Sequence, residues 1–311
     1  MPEVDLADCW FLTGATASGK SAVGVELARR LGGEILSLDS MAVYRGLDIG
    51  VAKPAAAERR AVPHHLIDLV EPDESFSLAD YLDAAAAAVA DVRGRGRAPV
   101  FVGGTPLYLK GLLRGVFAGP PADWSLRGEL QAVAERDGPA ALHARLAQVD
   151  PTAAGRLSPQ DTRRVIRALE VWIKTSRPIS DWQRQFERPR AADQCRAIVL
   201  EWPRAQLCER IDARVDAMFA AGLIAEIRAL LAAGQRFGRT AGQALGYRET
   251  LEHLAGERDL AGTIALVKTR TRQFAKRQAT WFRSLGELQR LPVDEPFDPA
   301  EVAERVAALG G

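Results

Sequence analysis

The run Gly14-Ala15-Thr16-Ala17-Ser18-Gly19-Lys20-Ser21 satisfies the spacing G-x-x-x-x-G-K-[ST]. Glycines let such a loop curl so that backbone N–H groups face phosphate oxygens, the lysine adds a point charge, and the serine hydroxyl can hold a Mg2+ ion. The chemistry these residues offer is polyphosphate binding. The loop alone leaves three outcomes open: a triphosphate is hydrolysed, a phosphoryl group is moved, or a diphosphate departs. A hydrolase would add an apolar run ending in a magnesium-binding Asp, and His65-Leu66-Ile67-Asp68 is a poor candidate for it. Asp39, followed by Ser40-Met41-Ala42-Val43-Tyr44-Arg45-Gly46, is a carboxylate that could act as base or metal ligand, or serve as a helix cap or turn residue. Gly103-Gly104-Thr105 offers close backbone approach and a hydroxyl, or a plain turn.

These groups need strands to carry them. Cys9-Trp10-Phe11-Leu12-Thr13 is a short apolar run leading into the glycine loop. Glu34-Ile35-Leu36-Ser37-Leu38 leads to Asp39, and Pro99-Val100-Phe101-Val102 leads to Gly103. Helical patterns lie between them, which implies a parallel α/β sheet with its site beyond the carboxyl ends of the strands. After Gly119-Pro120-Pro121 strand signals vanish until Arg196-Ala197-Ile198-Val199-Leu200-Glu201-Trp202, beyond the breaker Arg188-Pro189-Arg190. The expected architecture is a P-loop parallel-sheet core, residues 1–117 and 197–311, with a mostly helical inserted domain, residues 118–196. Leu291-Pro292 through Pro299 reads as a proline-broken connection before a last helix over 299–309.

With 311 residues, 47% apolar and 26% charged, the chain can build one large or two ordinary cores, so disorder and fibre are excluded. The longest apolar stretch, Ala84 to Ala90, is too short to cross a bilayer, and Met1-Pro2-Glu3-Val4-Asp5 does not resemble a secretory signal. A cytoplasmic protein acting as a monomer is expected. Cys9, Cys195 and Cys208 lack zinc-finger spacing and read as buried thiols. A formal charge of +1 excludes a uniformly basic polyanion binder and leaves room for local basic faces. Two helices supply candidates. Ser158-Pro159-Gln160-Asp161 marks a helix start with Ser as cap and Pro at the first helical position. On the helix after it Val165, Ile166, Leu169, Trp172 and Ile173 share one side, while Arg163, Arg164, Arg167 and Lys174 project from the other. Further on, Val267, Thr271, Phe274, Gln278, Trp281, Phe282 and Leu285 form a mostly apolar stripe. Lys268, Arg272, Lys276 and Arg283 fall away from it, with Arg270 and Arg277 flanking. Phosphate-backbone contacts to a nucleic acid suit both helices. His64, His65, His143 and His253 read as structural.

Gly14 to Ser21, Asp39 through Lys53-Pro54 and Pro63-His64-His65-Leu66-Ile67-Asp68 resemble the tRNA dimethylallyltransferase family. The resemblance continues through Gly103-Gly104-Thr105-Pro106-Leu107-Tyr108, Arg164-Val165-Ile166-Arg167-Ala168-Leu169-Glu170-Val171, Ala244-Leu245-Gly246-Tyr247 and Lys276-Arg277-Gln278-Ala279-Thr280-Trp281-Phe282-Arg283. It implies transfer of the dimethylallyl group of dimethylallyl diphosphate to N6 of adenosine 37 in tRNAs that read codons beginning with U, with pyrophosphate released. It further implies that Gly14 to Ser21 bind the diphosphate with Mg2+ at Ser21, that Asp39 accepts the N6 proton, and that Thr105, Lys20 and Arg214 support the leaving group. Asp39, Ser40, Met41, Ala42, Arg163, Arg164, Val165, Ile166, Arg167, Arg272, Lys276, Arg277 and Arg283 would meet the tRNA, the helical insert gripping its anticodon stem-loop. Three positions depart from the family pattern: Ala42 and Arg163 where glutamine is usual, and Val51 where threonine is usual.

Overall fold

A computed structural model describes residues 6–115, 119–183, 191–192 and 195–310. Met1 to Asp5, the expected boundary at residue 118 and the breaker Arg188-Pro189-Arg190 lie outside the described residues. In chain order the elements are β1 (Trp10–Gly14), α1 (Lys20–Leu31), β2 (Glu34–Ser37), α2 (Ala56–Ala61), β3 (His64–His65), α3 (Leu78–Gly94), β4 (Pro99–Gly103) and α4 (Pro106–Arg114). Next come α5 (Trp124–Asp137), α6 (Pro139–Val149), α7 (Pro151–Arg156), α8 (Thr162–Thr175), α9 (Ile179–Trp182) and β5 (Ala197–Glu201). The chain ends with α10 (Arg204–Ala220), α11 (Leu223–Ala232), α12 (Tyr247–Leu254), α13 (Leu260–Arg283), β6 (Gln289–Pro292) and α14 (Pro299–Gly310).

Apolar, fully buried strands such as Trp10–Gly14 and Pro99–Gly103 need cover on both faces, and a parallel sheet provides it. All six strands pair in parallel in the order β3-β2-β4-β1-β5-β6, with Phe11 opposite both Phe101 and Ala197. One face packs Leu12, Val100, Ile198 and Leu200 against Val23 and Leu27 of α1 and Val302 and Val306 of α14. The other carries Phe11 and Phe101, stacked 5.0 Å apart. Because the sheet is parallel, Gly14 and Gly103, which end their strands, and Asp39 and Trp202, which follow theirs, all lie at the carboxyl end of the sheet. The alanine run lies in α3, whose Ser77 and Asp80 form a capping box and whose Tyr81 hydroxyl donates to the Ser37 carbonyl at 2.9 Å. Two strands differ from expectation. Leu291-Pro292, read as the start of a broken connection, closes an edge strand, Gln289–Pro292, and His64–His65 is the opposite edge, where His65 Nε2 lies 2.6 Å from Glu34.

Arg114–Arg188 forms a compact unit distinct from that of Pro2–Leu113 with Pro189–Gly311. Its core joins Leu130, Leu142, Leu146, Val165, Ile166, Leu169 and Ile179. Glu170, fully buried, accepts from Arg127 Nε and Nη2 at 2.9 Å each, from the Asp123 N–H at 2.7 Å, and from Arg167. Burial pushes its carboxyl up, but these hydrogen bonds outweigh that and hold it below the usual glutamate value. Helix α8 starts later than expected: Asp161 caps it, and Ser158-Pro159-Gln160 is a turn in which Gln160 N–H donates to Ser158 Oγ. Its burial also changes along the helix rather than only around it. Residues 165–171 are buried or half-buried, whereas Trp172 and Ile173, expected on the apolar face, are exposed. Among the described residues no helix is long and apolar enough to cross a membrane.

Candidate active site at the carboxyl ends of the strands

The chain leaves β1 at Gly14 and enters α1 at Lys20 through a loop in which Ala17 and Gly19 both have positive φ, 64° and 81°. Gly19 is the N-cap of α1 and has no side-chain cap, and the first turn contains no acidic residue. The first N–H groups of the helix are therefore uncapped, with the positive end of its dipole turned to the loop. A β-carbon at Gly19 would lie 2.5 Å from the Phe297 ring, so glycine is required for space as well as for φ. Three loop carbonyls are held by donors: Ala15 by Lys20 Nζ at 3.1 Å, Ala17 by Arg210 Nε at 3.0 Å, and Ser18 by Trp202 Nε1 at 2.9 Å. The Arg210 guanidinium also stacks on the Trp202 and Phe297 rings. Burial first, then the neighbouring Arg214 cation, push the Lys20 ammonium down to about 8, with the Asp39 carboxylate pulling the other way.

Asp39 performs both the turn role and a site role. Its Oδ1 accepts the Met41 N–H at 2.8 Å, while its charge acts on Lys20 and on Arg214 of α10. Burial lowers Arg214, again opposed by Asp39, and Arg214 Nη2 donates to the Val51 carbonyl at 3.4 Å. Since that contact uses the backbone of residue 51, valine in place of threonine leaves it intact. Thr105 Oγ1 accepts the Ser40 N–H at 3.0 Å, the Thr105 N–H donates to Leu38 O at 3.1 Å, and Thr13 Oγ1 donates to Gly103 O at 2.8 Å. A β-carbon at Gly103 would fall 2.2 Å from Leu38 O, so the ends of β2 and β4 can meet only through glycine. Lys20, Asp39, Thr105 and Arg214 thus belong to one crevice. Beside it opens a cavity of about 590 Å³ lined by Asp48, Lys53, Arg59, Arg214 and Met218 among others.

The expected RNA-facing residues divide. Arg163 and Arg164 are exposed, Arg164 pairing loosely with Asp161 at 3.4 Å. Val165 and Ile166 are buried in the helical core, their side chains turned to its apolar interior. Arg167 is held by Glu170 and by Pro120 O at 3.0 Å, and Lys174 by Asp123 at 3.1 Å, so these two cations brace α8 against the start of α5. On α13, Arg272 binds both Asp212 oxygens at 2.6 and 2.7 Å and Lys268 pairs with Asp216 at 2.7 Å, fastening α13 to α10. Arg270 pairs with Glu249 at 2.6 Å. Lys276, Arg277 and Arg283 remain exposed. Ser40 and Met41 are half-buried beside Asp39. Ala42 is buried, and its carbonyl accepts the Asp68 N–H at 3.0 Å.

Three residues of this site escaped the sequence reading. Trp202 and Arg210 carried no local signal. Gln278 did carry one, as an amide within an otherwise apolar stripe: its Oε1 accepts the Thr16 N–H at 2.9 Å and its Nε2 donates to Gly104 O at 2.6 Å.

A parallel sheet whose central strand runs through a G-x-x-x-x-G-K-[ST] loop into an uncapped helix, with Lys20, Arg214 and Asp39 electrostatically coupled beside it, defines a P-loop protein. The IPP transferase family model matches residues 42–285 and the isopentenyl transferase model residues 7–71. A tRNA dimethylallyltransferase of Geobacter metallireducens is 46% identical over 301 residues, 96% of each chain. The tRNA isopentenylpyrophosphate transferase of Bacillus halodurans superposes with a TM-score of 0.68 at 38% identity, covering 97% of this chain and 96% of that one. A eukaryotic dimethylallyltransferase captured acting on tRNA gives 0.74 at 28% identity, over 92% and 74%. The chain belongs to the tRNA dimethylallyltransferase family and is a transferase.

Proposed function

We propose that this enzyme transfers the dimethylallyl group of dimethylallyl diphosphate to N6 of adenosine 37, beside the anticodon of tRNAs reading codons that begin with U, and releases pyrophosphate. The observation that carries the reading is the crevice itself: a carboxylate, Asp39, in electrostatic contact with Lys20 and Arg214 next to an uncapped helix N-terminus. The anionic end of the donor fits the loop from Gly14 to Ser21. An allylic carbon leaves diphosphate through a cation-like transition state, so the main task is to stabilise charge gathering on the departing oxygens, and Lys20, Arg214 and the α1 N–H groups are placed for it. Asp39 keeps one carboxylate oxygen beyond the Met41 N–H bond to receive the N6 proton. An adenine amine is far too weak an acid to ionise beforehand, so the proton moves only as the N–C bond forms. Thr105 holds the Ser40 N–H and fixes the turn on which Asp39 stands.

A Mg2+ ion fits the residues present. Ser18 Oγ is buried without a hydrogen-bond partner, and the Ser21 hydroxyl and Asp39 carboxylate are hard oxygen donors. Ser21 and the substrate's own phosphate oxygens would hold the ion. When bound it would add positive charge at the diphosphate. Arg163 and Arg164 of the helical unit, and Lys276, Arg277 and Arg283 of α13, are the exposed cations for the anticodon stem-loop.

Incubation with labelled dimethylallyl diphosphate, Mg2+ and either anticodon stem-loop RNA or AMP, followed by digestion to nucleosides, tests the reading. The expected product is N6-dimethylallyl adenosine from position 37 of the RNA, with one pyrophosphate per transfer. Transfer to AMP alone, ATP-dependent phosphorylation, or binding without transfer would each reject it.

A further inference from the structure

Gln278 lies on α13 and is 4% exposed, and both ends of its amide are used across long stretches of chain, to Thr16 and to Gly104. The Ala15–Thr16 peptide group is thereby fixed at both edges, its carbonyl by Lys20 and its N–H by Gln278. The Thr16 N–H is spent on this contact, as the Ser18 N–H is spent on Ala15 O, so diphosphate recognition falls to the later N–H groups leading into α1. The other end of the amide binds the turn that carries Thr105. A β-carbon at Gly104 would come within 2.8 Å of Gln278 Nε2, so the turn is shaped around this amide. From Thr105 the linkage runs through the Ser40 N–H to the residue next to Asp39.

We propose that Gln278 is a positioning residue that sets the gap between the phosphate loop and the Gly103-Gly104-Thr105 turn, and with it the distance from the departing diphosphate to the carboxylate that receives the proton. A buried amide suits the task because it presents an acceptor and a donor a fixed distance apart, and neither charge nor an aliphatic chain can satisfy both partners. This inference rests on the function proposed above.

Two variants test it. Gln278→Glu keeps the size and the acceptor for Thr16 but sets a carboxylate oxygen against Gly104 O. Gln278→Met keeps the length and removes both bonds. Inorganic pyrophosphate with Mg2+ serves as the ligand for equilibrium binding, alongside single-turnover transfer at saturating donor, stem-loop RNA affinity without donor, and melting temperature. In both variants the pyrophosphate Kd is expected to weaken about 10-fold and the single-turnover rate to fall about 100-fold, the scale of an ångström-sized misplacement. RNA affinity stays within about twofold in this account. Folded variants with unchanged pyrophosphate binding and rate overturn the inference. So does a parallel loss of RNA affinity, or unfolding of both variants, since either assigns Gln278 to packing alone. If the wild-type protein itself fails to bind pyrophosphate, the reading of the crevice falls first and this inference with it.

Discussion

Replacing Asp39 by Asn separates its two possible site roles, because they predict opposite signs for diphosphate affinity. Asparagine retains an oxygen for the Met41 N–H, so the turn and the Ser40–Thr105 bond survive. What disappears is a negative charge that acts on Lys20 and Arg214, the two cations proposed to meet the donor's anionic end. If Asp39 is the base, the variant loses general-base catalysis, a factor of about 10² to 10⁴. Pyrophosphate should meanwhile bind more tightly, since a like charge has gone. At a separation of roughly 8 Å and an effective dielectric of about 20, one unit charge is worth about 2 kcal/mol. Screening by water and metal reduces the gain to about 3- to 30-fold in Kd. If Asp39 instead ligates the metal, Mg2+-dependent pyrophosphate binding weakens. The assay pairs single-turnover transfer to a stem-loop RNA with calorimetric titration of pyrophosphate at fixed Mg2+. A rate within about threefold of wild type removes Asp39 as base, and weakened pyrophosphate binding reassigns it to the metal.

Further outcomes follow from the same geometry. Arg163→Ala combined with Arg164→Ala should reduce the slope of log K against log salt for stem-loop RNA by about 2 if each exposed arginine meets one phosphate. Arg167→Ala should leave that slope unchanged and lower the denaturation midpoint, because its partner is the buried Glu170; an unchanged midpoint with a reduced slope would contradict this. Gly19→Ala must place a side chain at φ 81° against the Phe297 ring, and pyrophosphate binding should weaken by at least about 10-fold, with normal binding refuting the required cradle. Glu170 is held below its usual value of 4.5, so its contribution to stability is complete above that value and is lost as pH falls through its lower folded value. Urea midpoints of wild type should therefore drop in acid more steeply than those of Glu170→Gln, and parallel profiles would refute the assignment.

The central strands were legible because burial on both faces leaves a run of apolar residues with no polar alternation, as in Trp10 to Thr13 and Pro99 to Val102. The edges were not. Gln289–Pro292 alternates between covered and open positions, and its proline is tolerated because the edge requires no donor on the outer side. His64–His65 is too short for any period to show. Among the cations, helical spacing placed Arg167, Lys174, Lys268 and Arg272 away from the apolar stripes, yet spacing is silent about what lies across from a helix. Glu170 sits on the same helix as Arg167 and was read only as part of a motif. Asp123, Asp216 and Asp212 come from other segments, and their charges draw these cations into pairs that fasten one element to another.

The phosphate loop, Asp39 and Thr105 were legible for the opposite reason, since they are local: one loop, one helix start and the residues directly beyond two strands, whereas Arg214 of α10 entered only through the family resemblance. The site's calibration is not local. The loop's backbone is held by Arg210 and Trp202 from beyond β5 and by Gln278 from α13, 193, 184 and 262 residues away in sequence, each giving a peptide group one hydrogen bond. A backbone acceptor or donor is present at every position, so nothing in the residue types of Thr16 or Ala17 announces a distant partner. The only sequence trace such a partner can leave is on its own side, as a polar group where packing asks for an apolar one. Gln278 leaves that trace because it is buried in the stripe. Arg210 does not, because a long cation on a helix is ordinary until the aromatic rings it packs against are known.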